Sequence, residues 1–258
     1  MGKGETVVNK AEAVLPRAEK VYGYDQVARI LEGEIVAGRL KVGELLPIEA
    51  DLAEALGVTR PTLREGLRAL EVSGLIRRVG AKRLQVATPD PAVVAMTNAR
   101  ALGLTGTAFK HLWEIQIELE PLAAGLAAER ASEAEARTLL DLVARLEGAL
   151  EDDEAVIRHD VEFHATLSGA ASNPALVLAT APFGLLLFSA TRDLYQAVPA
   201  ARHRLLKAHR MIAQAVVERD AEAARLWMRR HIRDFRRGYE VAGFDLNAPI
   251  DLRRQRMG

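Results

Sequence analysis

The sequence predicts a mostly α protein in two parts: a helix-turn-helix backed by a small β-hairpin, then an all-α antiparallel bundle of about seven helices. Three observations predict it. Residues 45–80 hold two short apolar-periodic segments around a tight Gly57-Val58 corner, followed by strand-like runs at 75–79 and 83–87. Thr88-Pro89-Asp90-Pro91 then breaks the pattern, because two prolines in four residues favour neither a helix interior nor a strand. Beyond it the chain turns Ala- and Leu-rich, with helical periodicity and breaks short enough to make neighbouring helices antiparallel.

Residues 1–20 mix charged and small residues without a sustained period and read as a mobile arm. From Asp25 to Ala37, Val27, Ile30, Leu31 and Ile35 share one stripe, giving a helix ended by Gly38. Leu52, Ala53 and Leu56 fall on one face of the next helix, and Leu63, Leu67 and Leu70 on one face of the one after the corner. Thr59 is a suitable N-cap for that second helix. Pro61 lies in its first turn, where the missing N–H removes no intrahelical bond. The hairpin runs from Leu75 to Val79 and from Arg83 to Ala87 around Gly80-Ala81-Lys82. The bundle helices fall at about 92–102, 108–131, 133–150, 154–171, 174–195, 200–219 and 221–243 by periodicity. The expected divisions are the arm 1–20, the helix-turn-helix unit 21–88, the helical unit 89–244 and a basic tail 245–258 without evident structure.

Composition narrows the function. A chain of 258 residues with 49% hydrophobic content can build a core in each of two domains. Zero cysteines fit a reducing compartment and exclude thiolate metal sites and a cysteine nucleophile. No run approaches about 18 apolar residues and the first residues lack an apolar signal core, so the expectation is a cytoplasmic protein with no membrane segment.

The net charge of zero hides a local excess. Between Arg60 and Arg83 stand seven Lys or Arg against two acids, Glu65 and Glu71. Arg60, Thr62, Arg64 and Arg68 cluster at the start and outer face of the second helix, where a helix entering the DNA major groove needs donors for phosphates and base edges. A solvated outer face would also carry arginines. The basic hairpin tip and the concentrated charge favour nucleic acid over that simpler reading.

In the bundle, Asp160 and His164 are spaced i, i+4 and share a helix face. His209 and His231 each sit in an apolar stripe of a later helix, so three helices can bring one carboxylate and three imidazoles to one ion. Such a set suits Zn²⁺, Ni²⁺, Mn²⁺ or Fe²⁺ and leaves positions open in a five- or six-coordinate ion. It would leave a net charge of about +1 in a low-dielectric cavity, which favours an anionic ligand.

Residues 24–88 resemble the winged helix-turn-helix domain of the GntR family of bacterial transcription regulators. The resemblance rests on Gly38 to Pro47, Gly57-Val58-Thr59-Arg60, Thr62, Arg64-Glu65-Gly66-Leu67, Leu70-Glu71, Gly74-Leu75 and Gly80. It implies DNA contacts from Arg60, Thr62, Arg64, Thr59, Arg68, Gly80 and Lys82. Ile48, Ala50 and the tip Gly80-Ala81-Lys82-Arg83 depart from the family pattern, so its consensus operator is not assumed. Residues from about 92 to 243 resemble the FCD effector domain of the FadR branch, through Glu120-Pro121-Leu122-Ala123-Ala124, Asp160-Val161-Glu162-Phe163-His164, Asn173-Pro174, His209-Arg210-Met211-Ile212 and Met228-Arg229-Arg230-His231-Ile232. This implies one divalent metal ion per chain on Asp160, His164, His209 and His231, zinc being the first choice, and a small organic acid effector near Gln116 and Asn173. Gln116 stands where relatives often carry an arginine, so it can hydrogen-bond an anion but not pair with it.

The expected function is a ligand-responsive regulator that binds operator DNA as a homodimer, not an enzyme. The alternative is a metalloenzyme with an accessory DNA-binding domain. That reading wants a general acid or base beside the ion, yet no Glu stands three residues before any histidine, and Glu162 lies only two positions after Asp160. A purely structural metal remains a third possibility.

Overall fold

Helix α1 (Tyr24–Val36) buries Val27 and Leu31 on one stripe and ends where Gly38, at φ +72°, turns the chain. Glu34 closes the turn, its carboxylate accepting from Arg39 Nε at 2.6 Å and Nη2 at 2.8 Å while its carbonyl accepts from the N–H groups of Arg39 and Leu40. The computed structural model describes residues 23–80 and 83–251. The arm expected at residues 1–20, the wing-tip residue Lys82 and the last seven residues of the tail lie outside these.

Helices α2 (Glu49–Leu56) and α3 (Arg60–Val72) flank the corner, where Gly57 adopts φ +68°. Thr59 caps α3, its Oγ1 accepting from Thr62 N–H at 3.4 Å, and Pro61 occupies the first turn as expected. Ile48 stands at the N-cap of α2 and offers no side-chain cap, so that helix starts without a side-chain acceptor for its first N–H groups. Strands β1 (Ile76–Val79) and β2 (Arg83–Val86) pair antiparallel, Ile76 opposite Val86 and Val79 opposite Arg83. Gly43 to Leu46 run along the other edge of β2 through Gly43 N to Val86 O and Leu46 N to Leu84 O, both 2.9 Å. Val27, Leu31, Leu52, Leu56, Leu63, Leu70, Ile76 and Val86 form the buried core of this unit. Gly66 of α3 lies against Val27 of α1, so closely that a Cβ there would stand 2.6 Å from Val27 Cγ1.

The chain divides into two compact units between Val93 and Val94, beyond the expected boundary at residue 88. Pro91 does not end a linker. It opens α4 (Pro91–Leu104), since proline's fixed φ and absent N–H suit the first helical position.

The second unit continues with α5 (Phe109–Arg130), α6 (Glu133–Gly148), α7 (Asp153–Ala170), α8 (Pro174–Ala197), α9 (Ala201–Val217) and α10 (Ala221–Val241). Ser132, Asp152, Asn173 and Asp220 each cap the helix that follows with a side-chain oxygen, so the sequence sets where four of these helices begin. Leu139, Leu142, Leu146, Val156, Phe163, Leu167, Ile212, Val216, Met228 and Ile232 fill the core. Helix α5 packs against α7, α8, α9 and α10, and Trp113 Nε1 donates to Ile232 O at 3.1 Å, fixing α10 beside it. Helix α8 is long and apolar enough to cross a membrane, with a hydropathy of 1.7, which corrects the expectation that no segment is; half of that stretch is buried inside the bundle, and a core helix passes the same test.

The segment after α10 also corrects the sequence reading. It is docked, not structureless: Ile250 N–H donates to Thr107 O at 2.9 Å, Lys110 N–H to Leu246 O at 3.0 Å, and Leu246 and Ile250 pack on the cluster around Phe109 and Leu186.

Candidate metal centre and nucleic-acid interface

Four buried or half-buried donors meet inside the second unit. Helix α7 presents Asp160 and His164 one turn apart, α9 presents His209 and α10 presents His231, with one donor atom of each within 4.8 Å of all the others. Asp160 Oδ1 lies 3.2 Å from His209 Nε2 and 3.5 Å from His164 Nε2, and His164 Nε2 lies 3.2 Å from His231 Nε2. Phe163 stacks on the His209 ring at 4.0 Å and holds its plane.

The electrostatics set the protonation states. Burial pushes the Asp160 carboxyl up, but the imidazoles of His164 and His209 outweigh it and hold the group well below the usual carboxylate range. Burial lowers His209, and it lowers His231 far below the ordinary imidazole value with help from the other two rings. Asp160 is therefore ionised, and two imidazoles are neutral with a lone pair free, the forms a metal requires. His164 is the exception. Burial disfavours its charge, but Glu120 and Asp160 prevail and push it up to about 10.

The residues fit a divalent ion on two counts. Asp160 Oδ1 and His209 Nε2 are buried and have no hydrogen-bond partner despite their proximity, so polar groups have been taken out of water without compensation among the described residues. Three of the donor separations, 3.2, 3.5 and 3.2 Å, also lie near the spacing of about 3 Å between neighbouring ligands on an ion with bonds of about 2.0–2.1 Å. An ion would take the place of the extra proton on His164.

Glu120 escaped the sequence reading as a chemical group. It is 2% exposed on α5, and its Oε2 lies 2.9 Å from His164 Nδ1. Its forty-four-residue distance from His164 leaves no spacing signal. Gln116, one turn earlier on α5, is buried and its Oε1 has no hydrogen-bond partner. Asn173 is placed otherwise, its Oδ1 serving as the N-cap of α8 through Leu176 N–H at 3.3 Å. Glu162 faces Arg145 and His159 and is half exposed, away from the four donors. His111 Nδ1 accepts from Ala108 N–H at the start of α5.

On the first unit, Arg60 and Arg68 are exposed on α3 and make no ion pair or hydrogen bond among the described residues. Thr62 is half-buried, its hydroxyl 2.9 Å from that of Thr59. Arg64 is not the free donor that the sequence reading assumed: its Nε donates to Glu49 Oε2 of α2 at 2.7 Å. Arg77 forks onto Gln85 Oε1, whose amide in turn donates to Gly43 O, and Arg78 pairs with Glu71 at 3.2 Å. Gly80 holds φ +69° at the turn between the strands, a conformation that favours glycine.

Residues 23–86 match the model of bacterial regulatory proteins of the gntR family, and residues 111–234 match the FCD domain. The HTH-type transcriptional repressor NanR of Edwardsiella tarda is 29% identical over 153 residues, 58% of this chain; the match spans 59% of that repressor's length. The Glc operon transcriptional activator of Escherichia coli K12 is 28% identical over 216 residues, covering 80% of this chain and 85% of the activator. Among solved structures, a GntR protein of Streptococcus agalactiae is 26% identical with a TM-score of 0.58, covering 83% of this chain and 99% of that one.

Proposed function

The chain belongs to the GntR family of bacterial regulatory proteins and carries an FCD domain behind its DNA-binding unit, and on that footing we propose that it is a ligand-responsive transcription regulator whose effector site is built on a metal ion. The observation that carries the reading is the convergence of Asp160, His164, His209 and His231 from three helices, with buried donor atoms left unpaired. One divalent ion per chain, zinc in the first instance, sits on these four donors. A small carboxylic acid takes an open position on it, with the Gln116 amide N–H donating to its carboxylate and the unpaired Oε1 accepting from a hydroxyl of the same acid. Asn173 has its oxygen engaged as a cap, which leaves its amide nitrogen as the group to meet the effector. Arg60, Thr62 and Arg68 of α3, Gly80 and the Glu49-held Arg64 face operator DNA; Lys82, outside the described residues, keeps its assignment as a DNA contact from the resemblance alone.

The metalloenzyme alternative loses ground. Glu162 turns away from the donors, and the relatives matched are a repressor and an activator of transcription. Two copies binding a pseudo-palindrome is the working assembly, since one helix-turn-helix reads too few base pairs for high specificity. Its place of action is the cytoplasm, on operator DNA.

Linkage tests the regulator. An effector that changes operator affinity must itself bind with an affinity changed by the same factor when operator is present, roughly 5- to 150-fold for coupling of about 1–3 kcal/mol. Small carboxylic acids are screened by thermal shift on zinc-loaded protein, and the best is titrated by calorimetry with and without saturating operator. Equal affinities in the two titrations would remove that acid as the effector.

A further inference from the structure

We infer that Glu120 is the positioning residue of the metal centre: its carboxylate accepts a hydrogen bond from the Nδ1–H of His164, leaving the Nε2 lone pair for the ion, and its negative charge completes the charge balance of a divalent cation. This rests on the metal reading above. It adds a residue on a fourth helix, α5, and it changes what the cavity attracts.

The geometry leaves Glu120 one task. Its side chain is 2% exposed, and among the described residues His164 is its hydrogen-bonding and ion-pair partner, at 2.9 Å. A carboxylate removed from water this completely is strongly disfavoured unless it is paired. A neutral imidazole carries a single N–H. When Glu120 accepts that hydrogen from Nδ1, the lone pair stands on Nε2, the atom that lies 3.5 Å from Asp160 Oδ1 and 3.2 Å from His231 Nε2. Of the three histidines, His164 is the one with a carboxylate on the nitrogen away from the cluster. His209 Nδ1 is buried without a hydrogen-bond partner among the described residues, so its tautomer is not held in the same way.

The charge count follows. The ligand set alone, one carboxylate and three imidazoles on a divalent ion, leaves about +1. Glu120 lies one imidazole away and brings the buried group to neutral. An anionic effector is then held by its bond to the ion and by hydrogen bonds, not by surplus positive charge in the cavity. The two roles predict effects of opposite sign. Without the Glu120 charge the ion is held more weakly, yet a small anion is held more strongly on whatever ion remains.

The experiment uses the full chain, Co²⁺ as a visible metal probe and azide as the anion probe. Glu120→Gln is expected to lower Co²⁺ affinity by about 10- to 100-fold in chelator competition, the usual effect of losing such an outer partner. The visible band should keep its position and intensity, because the four donors are unchanged. Azide affinity for the Co²⁺-loaded variant should rise several-fold. Wild-type Co²⁺ affinity in Glu120→Gln overturns the inference, as does a band of altered coordination, which would make Glu120 itself a ligand. An azide affinity that stays level or falls overturns the charge argument. His209→Ala separates the two readings: if it loses Co²⁺ while Glu120→Gln binds as wild type does, this inference fails and the metal reading stands, whereas wild-type binding in both variants overturns both. Should Glu120→Gln not fold, Glu120→Asp carries the test. It keeps the charge but shortens the reach, so Co²⁺ affinity should drop with azide affinity unchanged, and a rise in azide affinity there refutes the proposal.

Discussion

Replacing Gly66 by alanine tests whether the closeness of α1 and α3 sets the stability of the DNA-binding unit. The added Cβ would stand 2.6 Å from Val27 Cγ1, 2.7 Å from Val27 Cβ and 2.9 Å from Tyr24 O. Carbon atoms prefer separations of about 3.5–4.0 Å, so the overlap is roughly 1 Å. Val27 is fully buried, and the third contact is backbone, so neither neighbour can move without shifting α1. Overpacking of this kind costs about 1–3 kcal/mol, and a Gly-to-Ala change in a helix returns about 1 kcal/mol of propensity. With a backbone atom in the contact the cost falls at the upper end, and a net loss of about 1–2 kcal/mol follows. For a unit of this size that lowers Tm by about 5–15 °C.

Both tryptophans, Trp113 and Trp227, lie in the second unit, so the assay can be selective. Calorimetry and far-UV circular dichroism should show one transition moved down while the tryptophan fluorescence transition stays. Operator affinity should fall with it, because α3 carries Arg60 and Arg68. Adding Val27→Ala should recover part of the loss, with a coupling of about 0.5–3 kcal/mol between the two sites. An unchanged Tm in Gly66→Ala, or strict additivity in the double variant, would refute the packing argument.

On the DNA face, Arg60→Ala should lower operator affinity by about 1–3 kcal/mol if the side chain reads a base, or reduce the salt slope by about one if it holds a phosphate. Glu49→Gln should do the reverse for non-specific DNA, raising affinity by releasing Arg64 while lowering the ratio of specific to non-specific binding; gel-shift titrations at two salt concentrations read both, and two unaffected variants would mean that another face meets the DNA. In the first unit, the hydrogen bonds from Arg39 hold the Glu34 carboxyl below the ordinary glutamate value, outweighing the burial that pushes it up. A depressed carboxyl contributes stability that is fully present above the unfolded value of about 4.3 and is lost as pH falls through the folded one. The stability gap between wild type and Glu34→Gln, measured by urea denaturation, should hold between pH 6 and 7 by this logic and close below roughly pH 4; a gap that widens in acid would refute it.

The helices were legible because their signals are local. Thr59, Ser132, Asp152, Asn173 and Asp220 mark starts by chemistry that acts within three residues, and Asp160 with His164 announces a shared face by spacing alone. What was missed lies in contacts between distant segments. Glu120 sits on a helix buried on several faces, where no stripe singles out one carboxylate as different. The Glu49–Arg64 pair joins two helices across the corner, so the arginine read as free from its own helix alone. The docked segment after α10 holds on through backbone hydrogen bonds and two apolar side chains, Leu246 and Ile250, too few to produce a periodicity.

That docked segment decides where the chain can be shortened. The first turn of any helix leaves N–H groups without intrahelical acceptors, and at α5 one of them, on Lys110, is served by Leu246 O. A truncation placed at Val241, where the last helix ends, would strip this acceptor, leave Thr107 O without its donor and bare the edge of the rings of Phe109 and Tyr239, which stack at 4.3 Å. Protein cut there would be expected to gain a sticky apolar patch and to be poorly soluble, whereas a cut after Asp251 would leave every one of these contacts in place.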